Sequence, residues 1–477
     1  MTRLSRNARR RLLLYGTAAA VALVVILVPR IVSRLGPTTQ ARNLFGEANA
    51  AMGNEATQLL IGFLTIDTSN PPGATREGIL YLARLFDCEG IPYEVVGDDP
   101  LRPVLVGRLK GSAPGEALAL LHHVDVVPAG DLGAWSQPPF AAKRGNKEAT
   151  HYLYGRGTLD MKGQAIASFL AMAALKRAGI VPHRDIVYVA ESAEESYELQ
   201  YGIGWVLDRR PDLIAGVTDF VNEGGVNEVL GPAIERYGIE VLQEAIVSVW
   251  IDAAAKERLE AFNTFLKAKD AALPYRLDPT VKEFLRFIAP SRSALWGRAM
   301  LGSGETLLSE KLLKEMPKVY HALLRDHIYA GIVSPTGGGG FTMRVVRTLL
   351  PGSSVRANRN ELAAWAREQG LGVRDHIVTN DAVPSAATGR AWEAFDTTLL
   401  FDPREPAPVG IYVLSGSYTS SSFLRTRGFR VFGFSPFNIN YHDAGKIHAA
   451  NERISLPHYI DGVERMRHFV FEYALAP

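Results

Sequence analysis

The sequence predicts an α/β protein: a mainly parallel sheet with helices on both faces, an inserted α+β lid domain, and an N-terminal transmembrane helix. Three observations carry this. Short apolar runs alternate with helix-length segments on either side of a stretch of different texture. Polar clusters sit at the carboxyl ends of the apolar runs, where such folds bind ligands. One long uncharged run lies beside an arginine cluster near residue 1.

That run spans 12–29, which is 18 residues without a charge, bounded by Arg11 and Arg30. At 1.5 Å per residue it is about long enough to cross a hydrocarbon core of roughly 30 Å. Arg3, Arg6, Arg9, Arg10 and Arg11 precede it with no acid among them, which predicts a cytoplasmic N-terminus and the C-terminal bulk of the chain outside the cytoplasm. A cleaved signal peptide is the rival reading. It expects a small-x-small cleavage site, whereas the chain continues Val28-Pro29-Arg30-Ile31. The expected organisation is an anchor at 1–34, a connector at 35–49, a first catalytic part at 50–238, an inserted lid at 239–382 and a second catalytic part at 383–477.

Within the first catalytic part, 117–121 reads as a strand ending in His122 and His123. The stretch 164–178 has helical spacing and stops near Gly179, and 185–190 and 219–222 read as further strands. The lid contains helices near 256–269 and 279–288 and strands near 326–333 and 341–350, with Gly337 to Gly340 between the strands. The α/β pattern resumes near 390.

Composition narrows the chemistry. In 477 residues, 47% are hydrophobic and 21% charged, as in ordinary folded proteins, and the net charge of +2 provides no basic field for nucleic acid. The lone Cys88 excludes an internal disulfide and a thiolate cage, so a zinc ion would need His, Asp and Glu.

Three stretches offer such ligands. In His123-Val-Asp125 the two polar residues share a strand face, and Asp125 is placed to accept a ring proton from a metal-binding His123; a structural histidine gives the same pattern. Gly155-Arg-Gly-Thr-Leu-Asp160-Met-Lys-Gly163 brings Asp160 to the start of a helix, where an aspartate can equally be an N-cap; its spacing fits neither the P-loop nor the dinucleotide fingerprint. Glu194-Glu195 places two carboxylates at a strand end. Their repulsion is relieved either by a dication, which leaves one acid as ligand and the other as base, or by solvent.

Taken together these stretches resemble the di-zinc amidohydrolases that include carboxypeptidase S, aminoacylase, succinyl-diaminopimelate desuccinylase and bacterial glutamate carboxypeptidase. The matching motifs are His123-Val-Asp125, Asp160-Met-Lys-Gly163, Ala193-Glu194-Glu195, Asn222-Glu223-Gly-Gly225 and His448-Ala-Ala-Asn451-Glu452, in that order. Val431-Phe-Gly-Phe-Ser-Pro436 is similar to the carboxypeptidase S branch.

The resemblance implies two zinc ions per chain, with cobalt or manganese as alternatives. Asp160 would bridge them, His123 and Glu223 would complete one site, and Glu195 and His448 the other. It further implies Asp125 as the acid behind His123, Glu194 as the base for a metal-bridging water, and Arg347 as the lid arginine that meets a substrate carboxylate. The expected reaction is hydrolysis of an amide bond in a small peptide or N-acyl amino acid, with a homodimer formed through the lid.

The sequence also departs from the family. The lid motif G-H-x-S-x-P is missing, and 247–256 reads Val-Ser-Val-Trp-Ile-Asp-Ala-Ala-Ala-Lys; His321 and His327 match no motif, and Thr419-Ser-Ser-Ser422 stands where T-D-S-R is usual. A catalytically weak metal- or ligand-binding homologue is therefore the alternative reading, although Glu194 favours an enzyme. A serine hydrolase lacks its Gly-x-Ser-x-Gly elbow here.

Overall fold

The structure, a computed structural model, describes residues 49–145, 151–291 and 318–476, with Met300 and Leu313. The expected anchor and nearly all of the connector lie outside these residues. No helix among the described residues is long and apolar enough to cross a membrane.

The described residues begin with α1 (Asn49–Leu64) and α2 (Arg76–Glu89), then β1 (Tyr93–Val96), β2 (Val104–Leu109) and β3 (Ala117–His123). Next come α3 (Lys162–Arg177), β4 (Ile186–Glu191), β5 (Val217–Asn222), β6 (Val226–Leu230), β7 (Ala233–Gln243) and β8 (Ala245–Ala253). The middle holds α4 (Lys256–Ala271), α5 (Pro279–Ile288), β9 (His327–Ala330), β10 (Phe341–Leu349), α6 (Val355–Glu368) and β11 (Gly372–Val378). α7 (Arg390–Leu400), β12 (Val409–Leu414), β13 (Arg430–Gly433) and α8 (Leu456–Leu475) complete it. Local chemistry sets several ends. Gly90 takes a left-handed conformation (φ 60°) after α2. Asp278 caps α5 by accepting from the Thr280 and Val281 amides, with Pro279 in the first helical position.

The large sheet has nine strands in the order β1-β2-β4-β3-β5-β13-β7-β12, with β6 beside β7. The expected mainly parallel sheet is in fact mixed. β4, β3, β5 and β13 form a parallel centre and β12 runs parallel to β7, while β1–β2, β2–β4, β13–β7 and β6–β7 pair antiparallel. Connection length is one physical reason. Only Gly231 and Pro232 separate β6 from β7, and 97–103 joins β1 to β2, both too short for the crossover that a parallel neighbour needs.

Every residue of β3 and β4 is buried, as in a sheet covered on both faces. α3 is buried along nearly its whole length, between the sheet and outer helices, so its apolar residues are not confined to one stripe. Because β3 is parallel to β4 with His123 opposite Glu191, and also parallel to β5, the carboxyl ends of all three strands open onto one edge.

A second sheet, β9-β10-β8-β11, is wholly antiparallel, with Ser334–Pro335 beside β10. Its two faces differ. Val247, Val249, Ile251, Met343, Val345 and Leu349 point into a core with Leu259, Phe262 and Leu266 of α4 and Leu362 and Ala366 of α6. Ser248, Trp250 and Arg344 alternate with these and occupy the opposite face.

Where α7 meets α8, the buried Phe395 ring stacks on Phe469 at 4.2 Å and packs against Phe434 at 4.9 Å. Phe395→Ala is expected to lower stability by about 3–5 kcal/mol through the cavity it leaves. The measurement is the denaturant midpoint, with the slope of the transition unchanged.

Candidate metal centre

β3 delivers His123 to the sheet edge with its imidazole buried. Its Nε2 lies 3.0 Å from Asp160 Oδ1 and 3.5 Å from Glu223 Oε1. His448 is half-exposed, and its Nε2 lies 2.9 Å from Asp160 Oδ2 and 3.2 Å from Glu195 Oε2. Asp160 thus offers one oxygen to each histidine, with Glu223 beside the first and Glu195 beside the second. Potential ligand atoms of His123, Asp160 and Glu195, and of His123, Glu194 and Glu223, fall within 4.8 Å of one another. All five ligands proposed from sequence, and Glu194, therefore come together in one cluster.

Each position has a local cause. Asp160 precedes α3 but does not cap it: Met161 is the N-cap residue and no side chain caps the helix. Its loop is held by Glu452, a fully buried carboxylate that accepts from the Gly157, Leu159 and Asp160 amides and from Arg156 at 2.6 Å. Neighbouring Asn451 fixes the His448 loop, accepting from the Ser136 amide and hydroxyl and donating to the Ala134 carbonyl. His448 and Asn451 both have positive φ (62° and 64°), a conformation non-glycine residues adopt only where surroundings impose it.

Asp125 has a fuller role than the sequence suggests. The His123 Nδ1 atom is 2.8 Å from the backbone carbonyl of Asp125 and 3.6 Å from its carboxylate. That carboxylate is engaged elsewhere. It accepts from the amides of Glu194 (3.2 Å) and Glu195 (3.1 Å) and from Asn70 Nδ2 (2.9 Å).

Crowded carboxylates in a buried place dominate the electrostatics. Burial and then the Glu223 charge push Glu194 well above the usual carboxylate range. Burial and then Asp160 push Glu195 up, and raise Glu223 to about 8. Burial would also raise Asp160, but hydrogen bonds from His123 and His448 hold it far below its ordinary value. His448 rises to about 10 through its hydrogen bonds to Asp160 and Glu195. Among the described residues, Glu194 Oε1 and Glu195 Oε1 are buried without a hydrogen-bond partner, so the acids offer free donor atoms to a cation. The cluster's imidazole and carboxylate donors fit zinc, and equally cobalt or manganese.

Arg347 is not brought to this cluster. Its side chain is buried on the helix-covered face of the second sheet, paired with Glu361 at 2.6 Å and stacked over Trp365. Arg344, three positions earlier, stands on the opposite face. It donates to Ser248 Oγ and lies close enough to lower the pKa of the Tyr418 phenol, which Glu194 and Glu195 raise after burial. Sequence reading also missed Tyr418, Tyr197, Asn70 and Glu452. Tyr418 donates to the Glu195 carbonyl, and its ring meets Tyr197 edge-on at 4.8 Å. Only Glu452 carried a signal, as the final residue of the His448 motif.

Glu452→Ala leaves the buried Arg156 charge and two or three amides without their acceptor. The expected loss is about 3–5 kcal/mol of stability, read by denaturation, together with weaker metal binding as the Asp160 loop loosens.

A model of peptidase family M20/M25/M40 matches residues 119–472. A probable succinyl-diaminopimelate desuccinylase of Staphylococcus aureus is 35% identical over 141 residues, which cover 30% of this chain and 33% of that protein. The N-fatty-acyl-amino acid synthase/hydrolase PM20D1.1 of Danio rerio is 30% identical over 154 residues, covering 29% and 28%. The chain thus spans about a third of the length of these relatives. Among solved structures, human carnosine dipeptidase 1 has a TM-score of 0.68 at 16% identity, covering 91% of this chain and all of that one. The M20 family metallo-carboxypeptidase Sso-CP2 from Sulfolobus solfataricus has a TM-score of 0.65 at 17% identity, covering 88% and 100%. The family match spans most of the chain and includes every residue of the carboxylate–histidine cluster: this protein belongs to peptidase family M20/M25/M40, a family of metallo-hydrolases.

Proposed function

We propose that the protein hydrolyses an amide bond in a small peptide or N-acyl amino acid, using two zinc ions held by His123, Asp160, Glu195, Glu223 and His448. The observation that carries this reading is the single Asp160 carboxylate lying between two histidines, each flanked by a further acid. When bound, the cations supply Lewis acidity, lowering the pKa of a water toward about 7 and polarising the scissile carbonyl.

The chain supplies the rest. Glu194 is buried, has a free oxygen and has a raised proton affinity, which suits it to take a proton from the attacking water and return it to the leaving amine. Asp125 fixes the turn that carries Glu194 and Glu195 through their amides. Arg344, rather than Arg347, is the lid arginine available to a substrate carboxylate. We further propose that 239–382 acts as a lid, inserted between catalytic parts at 50–238 and 383–477, through which two copies pair. Residues 1–34, followed by a connector at 35–49, would anchor the chain in a membrane with its N-terminus cytoplasmic.

Metal analysis of the full-length protein in detergent, beside Glu194→Ala, tests the chemistry. Both are expected to hold about two zinc ions, and only the parent to cleave dipeptides or N-acyl amino acids, with kcat about 10²–10⁴-fold lower in the variant. A metal-free parent overturns the proposal; a metal-loaded parent inert to the whole panel makes it a binding homologue. Arg344→Ala is expected to raise KM for carboxylate-bearing substrates about tenfold or more, whereas Arg347→Ala lowers stability with KM unchanged. Protease treatment of intact cells should digest the catalytic domain from outside; digestion from the cytoplasmic side alone refutes the orientation.

A further inference from the structure

The metal cluster is built from His123 at the end of β3 and from four loops, which carry Asp160, Glu194 with Glu195, Glu223 and His448, yet one of its supports comes from a segment far upstream. After α1, residues 68–70 run beside 124–126. The Val126 amide donates to the Thr68 carbonyl, the Asn70 amide donates to the Val126 carbonyl, and Thr68 Oγ1 donates to the Val124 carbonyl at 2.6 Å. This short parallel bridge brings Asn70, which is 6% exposed, against the back of the site.

The Asn70 side-chain nitrogen has two hydrogens and two partners. It donates to Asp125 Oδ2 at 2.9 Å and to Ser196 Oγ at 3.0 Å. Ser196 follows Glu195 directly and donates onward to Glu198. Asp125 in turn receives the Glu194 and Glu195 amides, while its backbone carbonyl faces His123 Nδ1. One amide group therefore touches the residue that directly follows the two glutamates, and the residue that orients the first histidine and accepts from both glutamate amides. Lys162, two residues past Asp160, ties the same segment down by donating to the Phe63 and Ile66 carbonyls.

We infer that Asn70 is a positioning residue for the metal centre, holding Asp125 and the Glu194–Glu195 turn in the geometry that binds the ions. It lies outside the 119–472 stretch that carries the family match. The chemistry requires an amide there. Asp125 is buried among acids, and a neutral donor compensates its charge without competing for metal. Aspartate has the same shape but no hydrogen to donate when ionised. Alanine removes the contact altogether. This inference rests on the metal-centre reading above.

The test is zinc affinity of the full-length protein by competition with a chelator, supported by the visible absorption of the cobalt-loaded form. Asn70→Ala and Asn70→Asp are expected to weaken zinc binding about 10–100-fold and to change the cobalt spectrum, as loss of an outer hydrogen-bond partner does at metal sites. kcat should fall while KM changes little. Asn70→Ser, which keeps a short donor, should recover part of the affinity, and this separates positioning from simple loss of fold. Parent-like zinc affinity and cobalt spectrum in both Asn70→Ala and Asn70→Asp overturn the inference while leaving the metal centre standing. A parent that binds no metal removes the centre itself, and the inference with it.

Discussion

The structure is organised around an electrostatic conflict. Asp160, Glu194, Glu195 and Glu223 are gathered at one sheet edge with Asp125 behind them, and His123 and His448 stand among them as potential cations. Carboxylates this close and this buried repel one another and resist ionisation. The fold keeps them there with fixed hydrogen-bond donors from its backbone. The amides of Gly157, Leu159 and Asp160 converge on Glu452, amides of Glu194 and Glu195 converge on Asp125, and Asn451 clamps the His448 loop to residues 134–136. These contacts hold the loops that carry the acids in place.

The sheet explains why the acids meet. β4, β3 and β5 are parallel neighbours, so their carboxyl ends share one edge, and the loops that follow carry Glu194, Glu195 and Glu223 toward His123. The parallel centre needs long crossovers, which α3 and its partners supply. The antiparallel margins need only short links, so the sheet is mixed without disturbing the edge that matters.

The second sheet shows how strand register decides which face an arginine occupies. Arg344 and Arg347 lie on the same strand three positions apart, hence on opposite faces. Arg347 is committed to Glu361 beneath α6, while Arg344 lies on the face away from the helices and donates to Ser248 Oγ. The Tyr197 phenol, close behind the acidic turn, is also bonded by Asn380 where β11 returns to the main sheet, so the two sheets meet at the site through a polar contact.

The sequence by itself determined the α/β class and the strands that lead to the cluster, while its resemblance to a known family pointed to the residues that meet there. Alternating apolar runs fix strand ends, and reactive residues at those ends are close in sequence to the pattern that reveals them: His123 closes its strand and Glu223 follows its own directly. It could not determine strand direction at the sheet margins, because pairing depends on which neighbours a short link can reach. It could not reveal Asn70, which sits in a Thr-Ser-Asn-Pro-Pro-Gly turn that reads only as a loop. Nor could it separate Arg344 from Arg347, or show that the Asp125 carboxylate serves two amides and Asn70. These are contacts between segments up to 126 residues apart. Only tertiary packing decides them, because hydrogen-bond partners are chosen by proximity in space and leave no periodicity along the chain.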